Sequence, residues 1–323
     1  MPSSTSSSEA LALHRRQYDE RLISMTRTPN EKSFLLSIGL TALALFVVWS
    51  LVIPHVPKYV STLNQSDDNR QLVMNFQRSD PAPVVLAGTS LLYRLSPLYF
   101  SEVPVINIAL PGQSPVSSAE IAVAKPAETM VIEINILDRG RDTGLERFSR
   151  RVFSPPLGLG ALSFAYSPVR SFVSWMFELD AKLTKREAAA ATAARRLVDR
   201  PPAPLDSGET VSSAAVSLDK RPVSDTIALS ARELREIADS FESRGGKAYY
   251  LLMPMHPLLA STNYEKRSQS AMAAADPKFS ERLLTVDWGN ELRWEPDGAH
   301  LDPRSAVLAG RRLEQAIEAA REN

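Results

Sequence analysis

Residues 83–91 read PVVLAGTSL, and this stretch decides the fold. Val84 to Ala87 are apolar without alternation, and Gly88 stops the run. A short strand apolar on both faces belongs between two layers of helices, which is where parallel sheets are found. Thr89 and Ser90 are residue types that start helices, and Leu91 and Leu92 resume the apolar text. Strand, tight turn and helix in that order put the Ser90 hydroxyl at the carboxyl edge of a sheet, with its backbone N–H beside it. The plain alternative is a serine that caps a helix and does nothing more.

Outward from there the same pattern recurs. VPVINIAL (103–110), TMVIEINIL (129–137) and KAYYLLMPM (247–255) read as further strands, and RLLTVDW (282–288) as a fifth. Helices are expected at Ser114–Ala124, Ser230–Ser243 and Pro303–Ala320. Asp302 is placed to cap the last of them, with Pro303 in its first turn. Strands alternating with amphipathic helices predict an α/β domain on a parallel sheet, over residues 82–323. Residues 138–228 break the rhythm and read as an insertion. It holds an aromatic-rich part (Phe164–Phe177), an Ala-rich charged helix (Ala181–Asp199) and a Pro/Ser/Ala stretch expected to be structureless. The aromatic part has two readings, a cover over the site or the membrane and an ordinary surface helix pair.

Before the domain lies SFLLSIGLTALALFVVWSLVIPHVP, Ser33 to Pro57, without one Asp, Glu, Lys or Arg. A helix of this length matches a hydrocarbon layer about 30 Å thick, so residues 34–54 are expected to cross a membrane. Arg15, Arg16, Arg21, Arg27 and Lys32 precede the span, while Lys58, Arg70 and Arg78 follow it more sparsely. The positive-inside rule then leaves residues 1–33 as a cytoplasmic tail. Residues 55–81 become a connector and the domain lies outside the cytoplasm, periplasmic or extracellular. The 323 residues carry 37 basic and 37 acidic side chains, so no basic surplus recommends nucleic acid as a partner. No cysteine is present, which removes thiolate nucleophiles, thiolate metal sites and disulfides.

Four histidines leave a short search for a general base. His14 is in the tail and His55 at the end of the span, so His256 and His300 remain. His300 stands three residues after Asp297, a spacing that lets the carboxylate hold one ring nitrogen and leave the other to take a proton. A chance pair of helix-start residues has the same spelling. Gly112 and Asn135 follow the second and third strands, and a backbone N–H and a side-chain amide are donors that stabilise an oxyanion. Asn135 reads equally well as a cap for the next turn. His256 and Asn107 also stand at strand ends, as possible substrate contacts or as ordinary loop residues. No H-E-x-x-H is present, and neither a metal nor another cofactor is expected.

Ser90 after the first strand, Gly112 after the second, Asn135 after the third and Asp297-x-x-His300 before the last helix form an order. It resembles that of the SGNH/GDSL hydrolase superfamily. The resemblance covers roughly residues 83–140 and 245–320. It implies a three-layer α/β/α sandwich with a parallel sheet, here preceded by one transmembrane helix. It also implies Ser90 as nucleophile, Asp297 and His300 as its relay, and Ser90, Gly112 and Asn135 as oxyanion donors. The chain departs from the family text in two places. G-D-S-L is G-T-S-L here, and the G-x-N-D block is Glu133-Ile134-Asn135-Ile136. With a single N-terminal anchor, these departures look more like the acyl-transfer branch. That branch includes the partner proteins of alginate and cellulose O-acetylation and the D-alanyl transfer protein of teichoic-acid modification. The implied activity is acyl transfer, O-acetyl above all, to an exopolysaccharide or cell-envelope glycan beside a multi-spanning membrane acyltransferase. An anchored carbohydrate esterase would use the same residues, and a non-catalytic assembly protein could keep the fold alone.

Overall fold

The structure, a computed structural model, describes residues 31–52, 65–153, 179–202, 208–222 and 224–322. The chain divides into two compact units, residues 1–56 and 57–323. In the first, helix α1 spans Glu31–Val52 and carries no charge after Lys32. Phe34, Leu36, Ile38, Leu40, Leu43, Leu45 and Val47 are all exposed, so the helix is apolar around its circumference. Over the side chains that are described, Ser33 to Val48, no helix is long and apolar enough to cross a membrane. That window is shorter than the backbone helix, whose 22 residues measure about 33 Å at 1.5 Å per residue.

The second unit opens with α2 (Gln65–Arg78), β1 (Val84–Ala87), α3 (Ser90–Tyr93), β2 (Val105–Asn107), α4 (Pro115–Ala122) and β3 (Thr129–Glu133). Then follow α5 (Thr143–Phe153), α6 (Leu179–Leu197), α7 (Glu209–Asp219), α8 (Asp225–Glu242) and β4 (Lys247–Leu251). The chain closes with α9 (Pro257–Ala260), α10 (Asn263–Ala275), α11 (Phe279–Arg282) and α12 (Pro303–Glu322). The four strands are parallel, in the order β2-β1-β3-β4. The chain leaves β1 for β2 on one side and later fills the other side with β3. Such a reversal of strand order opens a crevice at the carboxyl ends of the strands, where open α/β sheets bind ligands.

Side chains of the strands alternate between two cores. Val85, Ala87, Met130, Ile132 and Tyr250 join one apolar cluster with α2, α4, α8 and α10. Val84, Leu86, Val131 and Leu251 join another with α3 and α12. Burial on both faces is why these strands read as unbroken apolar runs. Helix α8 buries Ile227, Ala231, Leu234, Ala238 and Phe241, one stripe at three- and four-residue spacing. Helix α12 starts as the sequence predicts, with the Ser305 N–H donating to Asp302 Oδ1 at 2.7 Å.

Three expectations are corrected. The fifth strand reduces to one parallel bridge, Leu283 against Tyr250. Arg282, just before it, is buried among Asp276, Asp239 and Glu242 at 2.5–2.7 Å, which ties the chain to α8 and the end of α10 and leaves one residue in register. The connector is not all connector. Helix α2 buries Asn69, Val73, Met74 and Phe76, and Val73 and Phe76 belong to the sheet's core. The Pro/Ser/Ala stretch contains α7, whose Val211 is fully buried. The Ala-rich helix is present as α6, whereas the aromatic part, Phe164–Phe177, lies outside the described residues.

Candidate active site

The turn after β1 is built around a buried carboxylate. Glu133, at the end of β3, accepts the Thr89 N–H at 2.7 Å and the Thr89 hydroxyl at 2.6 Å on Oε2. Its Oε1 accepts the Asn135 N–H at 3.0 Å. Gly88 allows this approach, since a Cβ there would lie 2.7 Å from the Glu133 Cβ. The Gly88 N–H donates to Ser118 Oγ at 2.8 Å, which fixes the other side of the turn. Thr89 caps α3, and Ser90 follows as its first residue. The Ser90 N–H donates to no acceptor among the described residues.

The histidine comes from a hairpin-like loop closed by the Trp294–Leu301 bridge. Gly298 turns it at φ 69°, a left-handed conformation that favours glycine. Asp297 Oδ1 accepts the N–H groups of Ala299 at 2.9 Å and His300 at 3.0 Å. Asp297 Oδ2 faces His300 Nδ1 at 2.5 Å. Partial burial works to raise the Asp297 carboxyl, but the hydrogen bonds from the His300 ring and the two backbone amides outweigh it. The net position is below the ordinary carboxylate range. Asp297 is therefore charged near neutrality, and it holds the His300 ring by Nδ1 with Nε2 on the other side of the ring.

Ser90, Asn135 and His300 line one cavity of about 160 Å³. No hydrogen bond joins Ser90 to His300 among the described residues. Unliganded sites commonly hold such pairs loosely. Leu91, Ile136, Met255, Leu259 and Ala299 supply apolar wall, and Arg139, Arg221 and Tyr264 supply polar groups.

The other expected site residues stand elsewhere or are otherwise occupied. Asn135 reaches the cavity, but its side chain is committed: Nδ2 donates to Met253 O at 3.0 Å and Glu265 Oε1 at 3.1 Å, and Oδ1 accepts the Met253 N–H at 2.7 Å. It splices the ends of β3 and β4 and has no amide hydrogen left for an oxyanion. Gly112, at φ 75°, is exposed on a turn beside Gln65 and does not line the cavity. Asn107 donates to the carbonyls of Leu92 and Leu95 at 2.9 and 2.8 Å and accepts the Ala109 N–H, so it closes α3, and it is not among the residues that line the cavity. His256 is buried behind the loop. Its N–H donates to Gly298 O at 2.9 Å, its Nδ1 accepts the Leu258 N–H, and its ring packs edge-on against Trp294.

Glu295, Asp297 and His300 could offer three ligand atoms to a cation. Glu295 is paired with Arg94 at 2.9 Å and Asp297 with His300, so each of the three already has a partner. Sequence reasoning passed over Glu133, although a lone acid inside TMVIEINIL was a signal for a buried, bonded carboxylate. It also passed over Arg139, Arg221 and Glu265. No family model matches the chain, and neither the search of curated proteins nor that of solved structures found a match.

Glu265 yields a pH prediction. Burial, then the charge of Glu133, pushes its carboxyl up to about 8 against hydrogen bonds from Gln269 and Asn135. Between the ordinary carboxylate range and about pH 8, the folded chain keeps a proton that the unfolded chain has lost. Stability therefore falls as pH rises through that window. The melting temperature of the wild type should decline from pH 5 to 8 more steeply than that of Glu265→Gln, which mimics the protonated form. Parallel declines would mean that Glu265 ionises as freely as in the unfolded chain.

Proposed function

We propose that this protein is a membrane-anchored serine acyltransferase of the SGNH type, with a three-layer α/β/α catalytic domain outside the cytoplasm. Its reaction would be O-acyl transfer, of acetyl above all, to a glycan. The observation that carries the reading is the meeting of Ser90 and His300 in one cavity, with Asp297 behind the imidazole. In the reaction, His300 Nε2 takes the Ser90 proton as Oγ bonds to the acyl carbonyl carbon. The Ser90 N–H donates to the resulting oxyanion. As the carbonyl re-forms, the bond to the donor's oxygen breaks and His300 returns the proton to that oxygen. A glycan hydroxyl then attacks the acyl-serine, with His300 again removing its proton, and Ser90 is restored. The glycan acceptor and a multi-spanning partner that supplies the acyl group rest on the resemblance in motif order. Water in the acceptor's place would make the same residues an esterase.

Ser90→Ala and His300→Ala should each lower turnover of an activated acetyl ester on the order of 10³-fold or more. The double variant should be hardly worse than either, because the two groups act as one unit. Addition of an oligosaccharide should divert product from acetate to acetylated sugar; acetate alone would identify an esterase. Multiplying losses in the double variant, or full activity in either single one, would reject the pair.

The anchor is supported by α1, whose 22 residues hold no charge beyond Lys32. A helix apolar all round is stable only inside protein or lipid. Excess Arg before it favours a cytoplasmic N-terminus. A phosphatase reporter fused after Asn323 should be active only outside the cytoplasm. Activity of a cytoplasm-only reporter at that position would refute the topology.

A further inference from the structure

Two guanidinium groups line the cavity that holds Ser90 and His300, and they are not equally satisfied. Arg221 pairs with Asp138 Oδ2 at 2.8 Å and lies over the Tyr264 ring at 5.5 Å. Asp138 Oδ1 accepts the Tyr264 hydroxyl at 2.7 Å, so both oxygens of this one carboxylate are taken. Arg139 has no carboxylate within ion-pair distance among the described residues. Among the described residues its one hydrogen bond is to Gln113 O at 3.5 Å, the outer limit for such a bond. Glu133 is near enough for its charge to be felt, but its oxygens are committed to Thr89 and Asn135. Arg139 is half-buried, and among the described residues most of its five donors meet no acceptor. A charge withdrawn from water needs a counter-charge, and apolar walls strengthen any pair formed there.

We propose that Arg139, assisted by Arg221, forms a carboxylate-binding subsite, so that the substrate carries a carboxylate a few bonds from the carbonyl that Ser90 attacks. The carboxylate's identification as part of a substrate rests on the reading of Ser90 as nucleophile; its binding does not. A guanidinium meets a carboxylate through two parallel N–H donors, which fixes orientation as well as charge. The carboxylate has two possible sources. It can belong to the acyl group, as in a half-ester of a small dicarboxylic acid, or to a uronic-acid unit of the acceptor.

The test is direct binding to the full chain in detergent, followed by calorimetry, with no turnover required. Succinate and glucuronate are compared with their uncharged counterparts, succinamide and glucose. Wild type and Ser90→Ala should bind at least one carboxylate in preference to its neutral counterpart. Arg139→Gln should weaken that binding about 10–100-fold, as expected for loss of hydrogen bonds to a charged group. Arg139→Lys should retain part of it. Preference for succinate assigns the charge to the acyl group, and preference for glucuronate assigns it to the acceptor. The bound carboxylate should also protect Arg139 of the wild type from phenylglyoxal, read by peptide mass spectrometry, so the result does not depend on how well a variant folds. Carboxylates that bind no better than their neutral counterparts, or leave Arg139 unprotected, would overturn the subsite. Intact carboxylate binding in a protein that turns over no ester would instead reject the acyltransferase and leave the subsite standing.

Discussion

The carboxylate of Glu133 takes two hydrogen bonds from Thr89 and one from the Asn135 N–H, all inside the protein. The Ser90 turn, the end of β3 and the splice between β3 and β4 all hang from it. Burial pushes its carboxyl up, while the three donors favour the charged form. Removing it would leave the Thr89 donors and the Asn135 N–H without partners, at about 1–3 kcal/mol for each unsatisfied group. That loss is comparable with a large part of a domain's stability. Where the SGNH family text has a Gly, this chain has the group that holds the Ser90 turn.

The same network decides what Asn135 does. An oxyanion donor is worth about 2.7–4 kcal/mol in a transition state. Turning the amide toward the cavity would break bonds to Met253 or Glu265 and strand a buried carbonyl or carboxylate, at about 1–3 kcal/mol. The difference is small, and the folded arrangement keeps Asn135 in its structural role. In the proposed reaction the Ser90 N–H is then the donor at hand for the oxyanion. The Asp297–His300 relay belongs to a separate loop, held by Gly298 and by the His256 N–H behind it.

Four strands, the α8 and α12 helices and the Asp302 cap were legible in the sequence because each is a local pattern: an apolar run, a 3.6 period, a capping residue. The order of Ser90, Asn135 and Asp297-x-x-His300 was legible because parallel strands bring their carboxyl ends to one edge. Gly112 stands off the cavity, and a strand-end glycine does not tell which way its turn faces. Asn107 and His256 read both as substrate contacts and as loop residues, and the side chains of both hold backbone groups, Leu92, Leu95 and Ala109 for the one and Leu258 for the other. Leu218 and Arg221 could not be found from the Pro/Ser/Ala stretch around them, since only the folded chain brings the end of α7 to the cavity. Helix α2 escaped notice because its few apolar residues, Leu72 to Met74 and Phe76, sit among polar ones.

The central claim is that Ser90 is a nucleophile held by the Glu133 turn and activated by His300. Exposure of the full chain to a fluorophosphonate, with the modified residue located by mass spectrometry, tests it most directly. The account predicts one adduct, on Ser90, formed much more slowly in His300→Ala and in Glu133→Ala. No adduct on Ser90, or an adduct formed as fast without His300, would contradict it.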